Sequence, residues 1–182
     1  MRLSLSGACI TNAIHLNIGD IMKNNESKPF RDLASFGKRM EYKIIAEMLL
    51  EDLDIYMPLV DDDAIDAVVK KPDGSFVEVQ IKARSIGVKF GTAALFAALT
   101  HRPRKNYWFI FYSERMDKKW ILSSKEFIKE SSQNKKNVKN EGKRTIGFNG
   151  KNTKDNNEHV LPQFEKYLIT SFDRIKNENP DS

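Results

Sequence analysis

Glu41, Asp66, Gln80 and Lys82 are two acids, an amide and an amine spread over three short stretches of a 182-residue chain. Brought to one place they would suit metal-assisted phosphodiester hydrolysis. A hard cation such as Mg²⁺ takes oxygen ligands, often one or two carboxylates completed by waters and a substrate phosphate, and Glu41, Asp66, the Gln80 amide oxygen and a strand carbonyl make that kind of set. Lys82 would contact the scissile phosphate or orient the attacking water, while the cation stabilises charge on the non-bridging oxygens. No covalent nucleophile is required. Taken singly, each residue has a plainer reading: Glu41 a solvated helix flank, Asp66 a strand-edge acid paired with Lys82, and Gln80 and Lys82 the polar side of a surface strand. The site exists only if the elements carrying these residues converge.

Residues 30 to 52 place Leu33, Phe36, Met40, Ile44 and Met48 at helical spacing, with Ile45 and Leu49 widening the stripe, so one buried helical face is expected. Gly37 and Glu41 lie beside that stripe, which puts Glu41 near the boundary between core and solvent. Asp54 to Val60 reads as a short extended segment, and Pro58 suits an edge strand. Ala64 to Lys71, Pro72-Asp73-Gly74 and Ser75 to Arg84 then read as strand, tight turn and longer strand. Pro presets the first turn position, Asp tolerates the second and Gly supplies the left-handed residue, which predicts a three-residue loop. With Lys71 paired to Ser75, Val68 lies opposite Glu78, Asp66 opposite Gln80 and Ala64 opposite Lys82, all on one face. Val77, Val79, Ile81 and Ala83 take the other face.

Further along, Gly87 and Gly91 punctuate a basic loop, and the alanine content of Thr92 to Thr100 predicts a short packed helix. His101 to Lys105 reads as a basic turn, Tyr107 to Ser113 as a buried strand, and Lys119 to Leu122 as another. Ser123 with Glu126 three residues on is a capping box opening a helix. Residues 131 to 158, rich in Asn, Lys, Ser and Gly, are expected to form a mobile basic loop holding at most one short strand near Thr145 to Phe148. Phe164, Leu168, Phe172 and Ile175 recur every three or four residues and predict an amphipathic helix over 162–176.

Glu41, then Asp66 in Asp62-Asp63-Ala64-Ile65-Asp66, then Gln80-Ile81-Lys82 after a Pro-Asp-Gly hairpin resemble the PD-(D/E)XK nuclease superfamily over roughly residues 33 to 125. The resemblance implies an α/β fold of the restriction-endonuclease-like type: a central mixed β-sheet flanked by helices, here with the amphipathic C-terminal helix added. It implies that Glu41 and Asp66 are metal ligands and Lys82 the catalytic lysine, with Gln80 standing where the family usually has Asp or Glu. Gln-x-Lys variants resemble those of Mrr-like restriction enzymes, the endonuclease subunit of heteromeric transposases and some intron-encoded homing enzymes. The amide makes the metal site less anionic, and Glu78 on the same face would serve as an auxiliary acid. The implied activity is Mg²⁺-dependent cleavage of DNA, most simply double-stranded, with Mn²⁺ as a substitute, by a homodimer or within a larger nuclease complex. A non-catalytic DNA-binding or accessory subunit that keeps the fold, and an RNA-directed nuclease or toxin, are the alternatives.

Charge agrees with a polyanionic partner. The formal net charge is +5, a small excess, but its placement is uneven. Glu47 to Glu78 holds ten acidic and two basic residues, Val79 to Ser113 six basic and no acidic ones, and Lys129 to Lys154 eight basic against two acidic. Carboxylates beside positive flanks are what holds a divalent cation against a phosphate backbone. Arg84, Lys89, Arg102, Arg104 and Lys105 are the candidate nucleic-acid contacts, each able to neutralise a phosphate without reading sequence. His101, among basic neighbours in a turn, reads as structural or exposed more readily than as a general base. Tyr107, Trp108, Phe109, Phe111 and Trp120 read as core. No Ser-His-Asp pattern, phosphate-cradling glycine loop or Cys/His metal spacing is present in the sequence.

With 40% hydrophobic and 30% charged residues, the composition excludes a wholly disordered or collagen-like chain. No apolar run approaches the roughly 20 residues that cross a bilayer, so no membrane association is expected. The single cysteine, Cys9, rules out an internal disulfide framework and suits a reducing compartment, making the cytoplasm the expected location. The stretch before Cys9 is too short and too interrupted by Ser4, Ser6 and Gly7 for a signal sequence. Residues 1 to 28 are expected to be a poorly ordered N-terminal arm, or to precede a functional chain starting near Met22, and residues 29 to 182 a single nuclease-like domain.

Overall fold

A computed structural model describes residues 33–60, 63–136, 139–152 and 157–181; the expectations for the 1–28 arm lie outside them. Helix α1 (Leu33–Leu50) forms where the apolar spacing places it. Phe36, Ile44, Ile45 and Met48 are buried, while Leu49 is 53% exposed, so the stripe is narrower than the sequence suggests. The helix ends in a left-handed residue, Asp52 (φ 60), after which Leu53 N donates back to Met48 O at 3.2 Å, closing the last turn as a terminal glycine usually does.

Strands β1 (Asp54–Tyr56), β2 (Ala67–Lys70), β3 (Phe76–Arg84), β5 (Tyr107–Ser113), β6 (Lys118–Ser123) and β11 (Leu168–Ile169) build one sheet in the order β1-β2-β3-β5-β6-β11. β3 and β5 are parallel and the remaining pairs antiparallel. The fold class is therefore α/β with a central mixed sheet flanked by helices. β1 lies at the sheet edge and ends at Tyr56, before Pro58. The β2–β3 turn has Gly74 at φ 83, Gly74 N bonded to Lys71 O at 2.9 Å and Lys71 N to Ser75 O at 2.8 Å. Asp73 Oδ1 accepts from the Ser75 amide at 2.9 Å and its hydroxyl at 2.6 Å. This is the three-residue loop that Pro-Asp-Gly favours, and it sets Val68 opposite Glu78. The ladder stops at Ala67 opposite Val79. Ala64 does not reach Lys82, because Ala64 itself is left-handed (φ 56) and the chain has already turned off the sheet.

The sheet carries a core on each face. Val77, Val79 and Ile81 pack with Ile44, Ile45 and Met48 of α1 and with Trp108, Ile110 and Ile121. Tyr107, Phe109, Phe111, Trp120 and Leu122 face the other way, onto Phe96, Phe127, Ile146, Phe148, Phe164 and Tyr167. β5 is buried on both faces along its whole length, which its continuous apolar run demands. Helix α2 (Ser124–Glu130) opens on the expected capping box: Ser123 Oγ accepts from Glu126 N at 3.2 Å and Glu126 Oε2 from Ser123 N at 2.7 Å.

Three expectations are corrected. Thr92 to Thr100 is not a helix; its Leu95–Leu99 forms β4, antiparallel to β8 (Arg144–Gly147) with a register shift between Phe96 and Leu99 and Ala98 at φ 59. Burial of Ala94 and Phe96 against the sheet outweighs alanine's helix preference. Residues 131 to 158 hold strands rather than one loop: β7 (Ser132–Gln133), β8 and β9 (Asn149–Lys151), with β10 (Glu158–Val160) starting at the segment's end. β4-β8-β7 form a second sheet and β9-β10 a hairpin ladder. The 162–176 segment is a 3₁₀ helix (Pro162–Tyr167), then β11, then the short helix α3 (Asp173–Asn177). Phe164 serves one core and Phe172 and Ile175 the other, so an apolar spacing that mimics one helical face is split between the two sides of the sheet. Among the described residues no helix is long and apolar enough to cross a membrane.

Candidate active site

Asp66 sits where β2 leaves the sheet. Its amide donates to Val79 O at 2.9 Å, and Ala67 is aligned with the same Val79, so two residues share one partner in the manner of a β-bulge. The side chain is 7% exposed, and its Oδ2 accepts from Ile81 N at 2.7 Å. Ile81 is the residue between Gln80 and Lys82, so the acid is fastened to β3 at the centre of the Gln-x-Lys pair. The turn before it is held from β5 and the 100–106 segment. Tyr107 OH donates to Ala64 O at 2.8 Å and Arg104 Nη1 to Asp63 O at 2.7 Å. Arg104 Nη2 pairs with Glu78 Oε2 at 2.6 Å, and the guanidinium lies 4.5 Å from the Tyr107 ring centre. Glu78, expected as an auxiliary acid at the metal site, is engaged by Arg104. Arg104, expected as a phosphate contact, is a strut for the Asp63–Asp66 turn.

Glu41 stands at the core boundary, its side chain 18% exposed, with Lys38 Nζ 2.7 Å from Oε2. Oε2 itself is buried and receives no well-directed hydrogen bond. The Lys38 ammonium is raised above the ordinary lysine value, first by its contact with Glu41 and further by the charges of Glu41 and Asp66. Both acids thus act on one cationic group, although they come from α1 and the start of β2. Lys38 was not picked out from the sequence; its signal is its place one turn before Glu41.

Gln80 is 5% exposed and Lys82 half-buried. They lie beside Phe109 and Phe111 in the parallel ladder, on the sheet face opposite Val79 and Ile81. Lys82 lines a cleft of about 210 Å³ with Phe36 of α1 and Leu95, Phe96 and Leu99 of β4. The structure therefore joins Asp66 to the Gln80–Lys82 segment through Ile81 and pairs Glu41 with Lys38. Among the described residues no three Asp, Glu, His or Cys side chains cluster as a metal site. A cation here would rest on two carboxylates and the Gln80 amide oxygen. That number of carboxylates fits Mg²⁺, which keeps waters and takes substrate phosphate oxygens. The buried Glu41 oxygen, facing only an ammonium, marks a position that already demands positive charge.

Of the remaining basic candidates, Arg84 Nη2 donates to Phe90 O, and burial together with the neighbouring Arg115 lowers its guanidinium below the usual value. It closes its own loop. Lys89, Arg102 and Lys105 are exposed.

His101 is packed among Tyr107, Phe109 and Phe127 at centre distances of 5.3, 4.7 and 5.5 Å, with Nε2 2.7 Å from Ser124 Oγ. Burial, with Arg104 and Arg144 nearby, lowers its pKa to about 4. The ring is neutral near pH 7. Because the folded value lies below the ordinary 6.5, the unfolded chain takes up the proton first, and the associated stability is lost as pH falls from about 6.5 towards 4. Thermal midpoints of wild type and His101→Asn across that interval should converge as pH drops; a constant difference would show that His101 does not titrate in this way.

Neither a family model nor a curated protein matches the chain. Solved structures similar to it include that of a bacterial homing endonuclease, I-Ssp6803I, with 17% sequence identity and a TM-score of 0.47 over 72% of this chain and 85% of that one.

Proposed function

We propose that the protein is a Mg²⁺-dependent endonuclease that hydrolyses DNA. The observation that supports it most is the Asp66 carboxylate on Ile81 N, which ties an acid to the strand position between Gln80 and Lys82. Glu41 and Asp66, with the Gln80 amide oxygen, would hold the cation. Bound there, Mg²⁺ would supply charge stabilisation at the phosphate and a more acidic water. Lys82, on the same strand face as Gln80, contacts a non-bridging oxygen of the scissile phosphate and offsets the charge that grows there. Exposed Lys89, Arg102 and Lys105 bind flanking phosphates and make affinity fall with salt. Two copies would be needed to cut both strands together.

Supercoiled plasmid incubated with Mg²⁺ or Mn²⁺ should be nicked or linearised, and EDTA should stop the reaction. Lys82→Ala should slow it by about 10²- to 10³-fold, the range seen when one transition-state contact is removed. Salt-dependent DNA binding without cleavage under any metal would replace this reading with a non-catalytic DNA-binding subunit.

A further inference from the structure

A cleft of about 620 Å³ has a lining that includes Asp63, Gln80, Thr100, His101, Arg102 and Arg104. Its volume is in the range of roughly 300–1,000 Å³ typical of pockets that take small molecules. Three features of the lining select a ligand. Gln80, 5% exposed as a whole residue, lines the cleft, and its amide opens onto that space rather than being sealed from solvent. An amide open to the cleft offers a ligand one acceptor and two donors. Arg102 is exposed at the rim with no acidic partner among the described residues, whereas Arg104 is committed to Glu78 and Asp63 O. His101 is held by Ser124 in a ring cluster, so it adds surface without adding charge. The ligand therefore carries an anionic group for Arg102, a body for the neutral wall of Thr100 and His101, and an acceptor for the Gln80 NH₂.

We propose that this cleft is a nucleotide subsite, taking the DNA nucleotide next to the scissile bond, with its phosphate on Arg102 and an acceptor oxygen on the Gln80 amide NH₂. The nucleotide identity rests on the nuclease reading; the anion-plus-body requirement rests on the cleft alone. The inference also gives the Gln in Gln-x-Lys a reason. A carboxylate offers only acceptors, whereas an amide offers an acceptor at one end and two donors at the other. Gln80 can turn its oxygen to a cation and its NH₂ to a substrate oxygen where β3 meets the cleft. Glutamate in its place would hold a cation more strongly and repel the nucleotide.

The test uses the full chain in EDTA, so neither metal nor cleavage enters. Thymidine 5′-monophosphate and inorganic phosphate are titrated separately while the Gln80 side-chain amide and His101 ring resonances are followed by NMR. The nucleotide should shift both saturably and bind at least about tenfold more tightly than inorganic phosphate. Arg102→Ala and Gln80→Glu should each weaken it by about tenfold, the equivalent of about 1.4 kcal/mol, with unchanged thermal midpoints. Gln80→Glu should at the same time tighten Mn²⁺ binding measured by electron paramagnetic resonance. Absence of shifts at both residues, equal affinity for phosphate and nucleotide, or nucleotide binding unaltered in Gln80→Glu would overturn the proposal. The plasmid assay separates the two readings. Cleavage without nucleotide shifts removes the subsite and leaves the nuclease; nucleotide shifts without metal-dependent cleavage remove the nuclease and leave the subsite.

Discussion

Asp66→Asn should fold as the wild type does and cleave almost nothing. The asparagine oxygen can still accept from Ile81 N, which Asp66 Oδ2 does at 2.7 Å, and the backbone bond from residue 66 to Val79 O is untouched. What disappears is the negative charge that the proposed cation site requires of Asp66. Loss of cleavage should exceed about a hundredfold, the upper range produced by removing an outer partner of a metal ligand. Asp66→Ala is the poorer test, because it leaves Ile81 N without its acceptor at a site only 7% exposed, a cost of about 1–3 kcal/mol. Plasmid nicking rates beside urea midpoints distinguish the two. Near-wild-type cleavage by a folded Asp66→Asn protein would remove Asp66 from the cation site.

The placement of the candidate residues is legible in the sequence to the extent that local chemistry fixes it. Pro72-Asp73-Gly74 sets the hairpin register, and a period of two puts Gln80 and Lys82 on one face whatever the rest of the chain does. The helical stripe of α1 likewise fixes Glu41 at the core boundary. The bulge at Asp66 was not readable, because it depends on the left-handed Ala64 and on Tyr107 and Arg104, residues some 40 positions away that fasten the turn. For the same reason Arg104 and Glu78 read as separate functional candidates when they are one ion pair. Long-range pairing of this kind leaves no periodic trace.

Fold and composition part where composition competes with tertiary burial. Ala93 and Ala94 read as helix formers, yet both are buried, Ala94 at 0% exposure. Ala94 N donates to Asn149 Oδ1 at 2.8 Å and Ala94 O accepts from Phe148 N at 3.1 Å. Asn149 in turn donates to Glu158 at 2.7 Å, which also accepts from Ala93 N at 2.6 Å and Arg115 at 3.0 Å. Polar residues that looked like loop composition thus supply the bonds that let β4, β9 and β10 meet. Small residues permit the close approach, and the half-buried Glu158 and the buried Asn149 satisfy the Ala93 and Ala94 amides.

Phe148, from the segment whose composition reads as a loop, should be among the most costly residues to truncate. It is fully buried, with ring centres 4.7 Å from Trp120, 5.0 Å from Phe164, 5.1 Å from Phe111 and 5.9 Å from Phe96. It thereby joins β4, β5, β6 and the 3₁₀ helix in one cluster. Phe148→Ala should cost about 3–5 kcal/mol, a large part of the roughly 5–15 kcal/mol that holds a domain together. The urea midpoint should fall with an unchanged slope, and a loss below about 1 kcal/mol would mean that the second core layer contributes little. Phe96 both packs on Phe148 and lines the cleft of Lys82, so the same truncation loosens a wall of the proposed site. Ile175→Ala removes an equally buried side chain from the opposite core, which meets the lining of that cleft at Ala83 and not at Phe96. At a temperature where both variants remain folded, Phe148→Ala should therefore lose more cleavage than Ile175→Ala. Equal losses would separate the stability of the second layer from the positioning of Lys82.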